Sequence, residues 1–266
     1  MPDRKLAVIT GASSGIGAMF ARKLAGRGYD LLLVARREDR LQSLAVELGE
    51  MYHVSAEAMA ADLTADSDCE RVAERVQSAG NLSLLVNNAG FGTLGFFNQA
   101  DVRVQMQMHR LHVLATMRLT HAALANLVPR AEGGVINVSS VAAFGETAGS
   151  ASYCSTKGWM NHFTATVHEE LVVQKSPVKM QALCPGFTLS EFHDTARVDR
   201  SPIAPSLWMT ADFVVNESLR GFDEGKLFVI PGWRYKLLVM FMRSVPGWAL
   251  RKMAARGAAK YRKPKV

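Results

Sequence analysis

Apolar residues in this chain alternate between two kinds of run. Short runs of largely apolar residues predict strands, the first of them β-branched and buried: KLAVIT at 5–10, DLLLVAR at 30–36, 82–86, GVINV at 134–138, VKMQALCPG at 178–186 and KLFVI at 226–230. HVSAEAMAADL is a further strand, ending at Asp62. Between them, AMFARKLAGRG, EDRLQSLAVELGEMY and CERVAERVQSAG place apolar residues every three or four positions, which predicts amphipathic helices. A long helix is expected over 101–128, ended by Pro129 and Gly133–Gly134, another from Tyr153 to about Lys175, and one at about 211–222. Residues 187–210 mix polar residues, proline and large apolar residues without a period, as a mobile cover over a pocket would. Regular β-α alternation predicts an α/β fold: a single domain with a doubly wound, Rossmann-like parallel sheet.

TGASSGIG at 10–17 sits between the first strand and its helix. In such a cradle Gly11 permits a tight turn, Gly15 lets backbone approach a pyrophosphate, and Gly17 lets the helix pack closely. The helix N-terminus then offers free N–H groups to the phosphates. The second strand ends in Ala35, Arg36 and Arg37, where dinucleotide folds commonly place an acid for the ribose 2′-hydroxyl. Guanidinium groups bind a 2′-phosphate that an acid would repel, so NADP(H) is expected over NAD(H). The alternative is that both arginines are only solvated at a strand end.

Residues 134–158 carry the candidate chemistry. Tyr153 and Lys157 are one helical turn apart and share a face. A phenol ordinarily titrates near pH ~10, and a neighbouring ammonium lowers that value, which makes Tyr153 a candidate acid/base. Ser140, at the end of the preceding strand, is placed to hydrogen-bond the oxygen that Tyr153 protonates. Tyr261 and Lys265 repeat the spacing without a strand or an upstream serine.

Composition narrows the class. The chain has 266 residues, 48% hydrophobic and 21% charged, which fits one globular domain and argues against disorder. No apolar run is long enough to span a bilayer, and the N-terminus passes straight into a strand, so a cytoplasmic protein is expected. Cys69, Cys154 and Cys184 are widely spaced and the histidines unclustered, so no metal is expected. The net charge of +7 is uneven: residues 226–266 hold eleven Lys and Arg and no acid. The preceding 225 residues carry 20 basic and 24 acidic side chains, so a nucleic-acid-binding body is not indicated.

TGASSGIG, Asp62, NNAG at 87–90, Ser140, Tyr153, Lys157 and PGFTLS at 185–190 together resemble the short-chain dehydrogenase/reductase family, in its order and approximate spacing over residues 4–230. The resemblance implies Tyr153 as acid/base, Lys157 lowering its pKa and holding the nicotinamide ribose, and Ser140 orienting a substrate carbonyl. The cofactor set it implies is Gly11, Ser13, Ser14, Gly15, Ile16, Gly17, Arg36, Arg37, Asp62 near the adenine, Leu63, Asn88, Ala89, Gly90, Tyr153, Lys157, Pro185, Gly186 and Thr188, while Asn87 braces the neighbouring strand. Ser190 stands where the family usually has threonine. His112 stands where the family commonly has an asparagine in a proton relay; it either joins the relay or is a packed neutral histidine. Phe91, Phe144, Phe187, Phe192 and Trp208 fall at pocket positions and imply an apolar substrate.

The expected activity is hydride transfer between NADP(H) and an apolar ketone, aldehyde or secondary alcohol, by a homodimer or homotetramer such as the family usually forms. The alternative is a catalytically inactive NADP(H)-sensing protein; an interaction protein working through its tail explains the tail but not the catalytic set. Residues 1–232 are read as the catalytic domain and 233–266 as a basic, apolar helical extension of it. In that extension LLVMFM at 237–242 is expected to dock on protein, its own subunit or a second copy, ahead of peripheral contact with an anionic membrane at its inner face.

Overall fold

A computed structural model of the chain describes residues 4–191 and 203–246. Among them, strands β1 (Leu6–Thr10), β2 (Asp30–Ala35), β3 (Ala56–Ala60), β4 (Leu82–Asn87), β5 (Gly134–Val138), β6 (Lys179–Leu183), β7 (Thr188–Leu189), β8 (Met209–Thr210) and β9 (Phe228–Val229) are found. The helices are α1 (Gly15–Ala25), α2 (Glu38–Tyr52), α3 (Asp66–Gln77), α4 (Val102–His109), α5 (Thr116–Arg130), α6 (Ala151–Val173), α7 (Ala211–Asp223) and α8 (Trp233–Ser244). Seven strands form one parallel sheet in the order β3-β2-β1-β4-β5-β6-β9, and β7 pairs with β8 apart from it. This is the expected Rossmann-like single domain.

Side-chain alternation along the strands builds a core on each face. Ala7, Ile9, Leu31, Leu33, Val86 and Ile136 pack with α1, α2 and α7; Leu6, Val8, Leu32, Val34, Leu85 and Val135 pack with α3, α5 and α6. The central strands are buried throughout, which is why they read as continuous apolar runs. After β3 the chain crosses back over β1 to reach β4, so the strand order reverses between those two. Crevices beyond the carboxyl ends of strands at such a point are where open α/β sheets bind ligands. Thr10 and Asn87 stand there.

Three boundaries differ from expectation. The helix predicted over 101–128 is interrupted by a π-helical turn, Arg110–Ala115, and continues past Pro129 to Arg130. Pro129 lies in the last turn, and the helix stops at Ala131, which turns left-handed with φ 52° and donates its N–H to Leu127 and Val128. The stretch at 53–63 is strand only over Ala56–Ala60, and the last strand shortens to Phe228–Val229 at the sheet edge. Within 187–210 the described ends pair as β7 and β8; Phe192 and the rest of 192–202 lie outside the described residues.

Candidate active site

The glycine turn after β1 is shaped by close approaches. Gly11 and Gly15 have φ of 67° and 56°. A Cβ on Gly17 would meet the Gly11 carbonyl oxygen at 2.3 Å, and one on Gly11 would meet the Asn88 amide at 2.8 Å. Gly17 thus packs α1 against the turn itself and Asn88, rather than against the strand. Asn88 Nδ2 donates to the carbonyls of Thr10 (2.9 Å) and Gly11 (3.2 Å), while the N–H groups of Asn88 and Ala89 both donate to Thr10 Oγ1. Thr10 was not singled out in sequence, yet it ties the first loop to the NNAG loop. No side chain caps α1, whose N-cap Ser14 makes no cap hydrogen bond. Uncapped N–H groups beside a glycine turn fit a dinucleotide's pyrophosphate.

Ser13 and Ser14 face the end of β2. Arg37 donates to Ser13 Oγ (3.2 and 2.9 Å) and Ser14 Oγ (2.9 Å), and pairs with Glu191 at 2.8 Å. Arg40, unmarked in sequence, pairs with the other oxygen of Glu191 at 2.6 Å. Arg36 is exposed and lies outside this cluster. Ile16 packs on the core and Leu63 is buried. Asp62 Oδ1 accepts from the N–H (3.0 Å) and hydroxyl (2.8 Å) of Thr64, fixing the loop after β3.

Beside the switch point, Asn87 Nδ2 donates to Asn137 Oδ1 at 2.9 Å, bracing β4 against β5. β5 delivers Ser139 and Ser140, and α6 returns Tyr153 and Lys157 to the same place. Ser140 Oγ accepts from the Ala142 N–H at 3.1 Å, leaving its own hydrogen to donate. It also hydrogen-bonds the Tyr153 phenol, an interaction that favours the phenolate. Lys157 Nζ is 5.9 Å from the Tyr153 ring centroid and donates to the Val138 carbonyl at 2.7 Å. Ser139, also missed in sequence, donates its hydroxyl to the Lys157 carbonyl at 3.1 Å.

The expected electrostatics need correction. Burial pushes the Tyr153 phenol up to about 12, opposed by Ser140, instead of Lys157 lowering it. Burial also pushes Lys157 down to about 7. Removal from water is the largest cause of both shifts. Tyr153 is therefore held as a proton donor.

His112 lies in the π-helical turn and is fully buried. Its Nε2 accepts from the Phe91 N–H at 3.2 Å, so Nδ1 carries the hydrogen and donates to Thr156 Oγ1 at 3.0 Å. Burial first, then Lys157, holds its pKa well below the usual value, so the ring is neutral. A Cβ on Gly90 would lie 2.7 Å from His112 Nε2, so the loop closes on the imidazole only because that residue is glycine.

The remaining wall comes partly from the C-terminal extension. Tyr235 on α8 is buried over Gly186, where a Cβ would sit 2.1 Å from its ring. Its hydroxyl accepts from the Phe187 N–H (3.0 Å) and donates to the Leu207 carbonyl (2.8 Å). Pro185 accepts from the Val141 N–H at 3.0 Å, and Thr188 Oγ1 donates to the Gly186 carbonyl at 3.0 Å. Met242 reaches Gly145, Phe144 packs edge-on to Phe228, and Phe187 packs on Trp208 at 5.4 Å. Phe91 lies 6.1 Å from His112.

A family model described as short chain dehydrogenase matches residues 5–201. The chain belongs to the short-chain dehydrogenase/reductase family. Among relatives of this family member, a dehydrogenase/reductase SDR family protein 7-like of Dictyostelium discoideum is 31% identical over 231 residues, covering 83% of this chain and 72% of its own. A short-chain dehydrogenase from Sphingobium yanoikuyae, solved in complex with NADPH, superposes with a TM-score of 0.81 at 31% identity, covering 98% and 97% of the two chains. The bulky-bulky ketone specific alcohol dehydrogenase from Comamonas testosteroni gives 0.77 at 29% identity, covering 98% and 96%. The protein is an oxidoreductase using a nicotinamide dinucleotide.

Proposed function

We propose that this family member is an NADP(H)-dependent reductase of apolar ketones or aldehydes that also runs in reverse on secondary alcohols, with Tyr153 as acid/base. The observation that carries this is the meeting of Ser140, Tyr153 and Lys157 beyond the carboxyl end of β5, at the end of the parallel sheet where the uncapped start of α1 follows β1. When bound, the nicotinamide supplies or accepts the hydride. The protein's part is the proton and the position. Ser140 and Tyr153 both address the carbonyl oxygen, and the phenol, held protonated, gives its hydrogen as the oxygen gains charge. Lys157, fixed by Val138 and Ser139, would hold the nicotinamide ribose. His112 is a positioning residue: neutral and using both nitrogens, it sets Phe91 and Thr156 and relays no proton. NADP(H) is preferred over NAD(H) because Arg37 and Arg40 converge just beyond the end of β2, which closes on Ala35 and not on an acid. Asp62 would approach the adenine and Pro185 to Thr188 would contact the nicotinamide end. The inactive, nucleotide-sensing reading gains nothing from a site that keeps all three side chains in contact.

An apolar substrate is supported by Phe91 against His112, Phe144 and Met242 in the stretch after Ser140, and Phe187 against Trp208. The relative from Comamonas testosteroni is described as bulky-bulky ketone specific. The assay is a panel of apolar ketones, aldehydes and secondary alcohols with NADPH and NADH, followed by nicotinamide absorbance. NADPH-dependent reduction of bulky ketones is expected; turnover confined to NADH, or none with any carbonyl, rejects the proposal.

The partner we propose is a second copy of the chain. Phe97, Val102, Met106 and Leu114 line a cavity of about 360 Å³ and are exposed, as are Trp233, Leu237, Leu238, Met240 and Phe241 on the outer face of α8. Patches of this kind mark interaction surfaces. Among the described residues no helix is long and apolar enough to cross a membrane. Peripheral contact with anionic lipid through the basic end competes with self-association for α8, and residues 247–266 lie outside the described residues. Three cysteines without disulfides suit a reducing, cytoplasmic setting.

A further inference from the structure

The described residues include a carboxylate held by two arginines at the end of β2. Each oxygen of Glu191 takes one guanidinium, Arg37 at 2.8 Å and Arg40 at 2.6 Å. The partners are 154 and 151 residues apart in sequence. Glu191 follows β7 on the substrate side, and its neighbour Ser190 lies over the glycine turn, with its Cβ 3.0 Å from where a Gly15 Cβ would be. Arg37 is anchored from the opposite side by Ser13 and Ser14, so it presents its remaining N–H groups outward in a fixed orientation. The result is a fork-like anion site filled by the chain's own carboxylate. Its position is the one at which dinucleotide folds meet the 2′-substituent of the adenosine ribose.

We propose that Glu191 occupies the 2′-phosphate subsite and is displaced from Arg37 and Arg40 by a 2′-phosphorylated nucleotide, which makes Glu191 and Arg40 specificity-determining residues. This rests on the NADP(H) preference proposed above. Arg37 and Arg40 hold the Glu191 carboxyl down at about 2, so it is ionised across the working range and competes at every pH the enzyme meets. All three side chains are 41–47% exposed, which makes the internal pair weak and exchangeable. A phosphate brings more charge and three oxygens and replaces it; a 2′-hydroxyl brings neither and leaves the carboxylate in place.

The test is calorimetric titration of the full chain with adenosine 2′,5′-bisphosphate and with 5′-AMP, for wild type, Glu191→Gln and Arg40→Gln. Loss of an exposed ion pair should tighten the bisphosphate by about two- to fivefold in Glu191→Gln and leave 5′-AMP unchanged. Loss of a charge-assisted contact should weaken the bisphosphate roughly tenfold or more in Arg40→Gln, again sparing 5′-AMP. If wild type prefers the bisphosphate but Glu191→Gln binds it no tighter, the displacement is wrong and the cofactor preference stands. If wild type binds both ligands equally and Arg40→Gln changes neither, the cofactor preference itself fails.

Discussion

Replacing Tyr235 with Phe tests whether the C-terminal helix is part of the active site. The ring stays over Gly186, and only the hydroxyl between Phe187 and Leu207 is lost. Two hydrogen bonds to backbone disappear, each worth about 1 kcal/mol net, so the cost is about 2 kcal/mol. For a protein of this size that corresponds to roughly 2–4 °C per kcal/mol, or a melting point lower by roughly 4–8 °C. The freed groups are the Phe187 N–H and Leu207 carbonyl, both beside the pocket. KM for a bulky ketone should therefore rise more than kcat falls. The assay is thermal unfolding with and without nucleotide, followed by steady-state kinetics, with Tyr261→Phe as control. A melting point and KM no different from that control would refute the account of α8.

Gly17→Ala should abolish nucleotide binding and lower stability by about 1–3 kcal/mol, because its Cβ would strike the Gly11 carbonyl, while Gly80→Ala, with open space around it, should do neither; titration and melting read both. In the cofactor-free protein Lys157 sheds its proton near 7, whereas the unfolded chain keeps it to 10.5. Between those values the unfolded state holds more protons, so stability contributed by this residue rises with pH, and Lys157→Met should flatten that rise in melts across the window. If α8 meets a second copy, sedimentation should give a dimer or tetramer with no pelleting on anionic vesicles at low salt. Pelleting that salt reverses, and that a chain ending at Pro246 loses, would favour lipid instead. That end point keeps Tyr235 in place, which a cut at Gly232 would not.

How far the sequence speaks depends on how local each feature is. The strand–turn–helix at 5–25 was legible because burial on both faces and the glycine spacing are both written in consecutive residues. Ser140, Tyr153 and Lys157 were legible because a strand end and a helix turn bring them together by short-range geometry. Their pKa values were not, since those depend on desolvation by the assembled core. Arg40 and Glu191 meet across 151 residues, whereas Arg36, the more obvious candidate, is simply exposed. Tyr235 sat in a segment whose apolar composition concealed one hydroxyl with two backbone partners. The π-helical turn leaves no mark on the apolar period, although it is what places His112 against Phe91.

The central claim is that Tyr153 supplies the proton. It is tested most directly by measuring NADPH-dependent ketone reduction in Tyr153→Phe alongside NADPH binding in the same preparation. Turnover should fall at least about 100-fold, as loss of a general acid does, while NADPH affinity stays close to that of wild type. A Tyr153→Phe enzyme that still reduces the ketone at a wild-type rate would contradict the account.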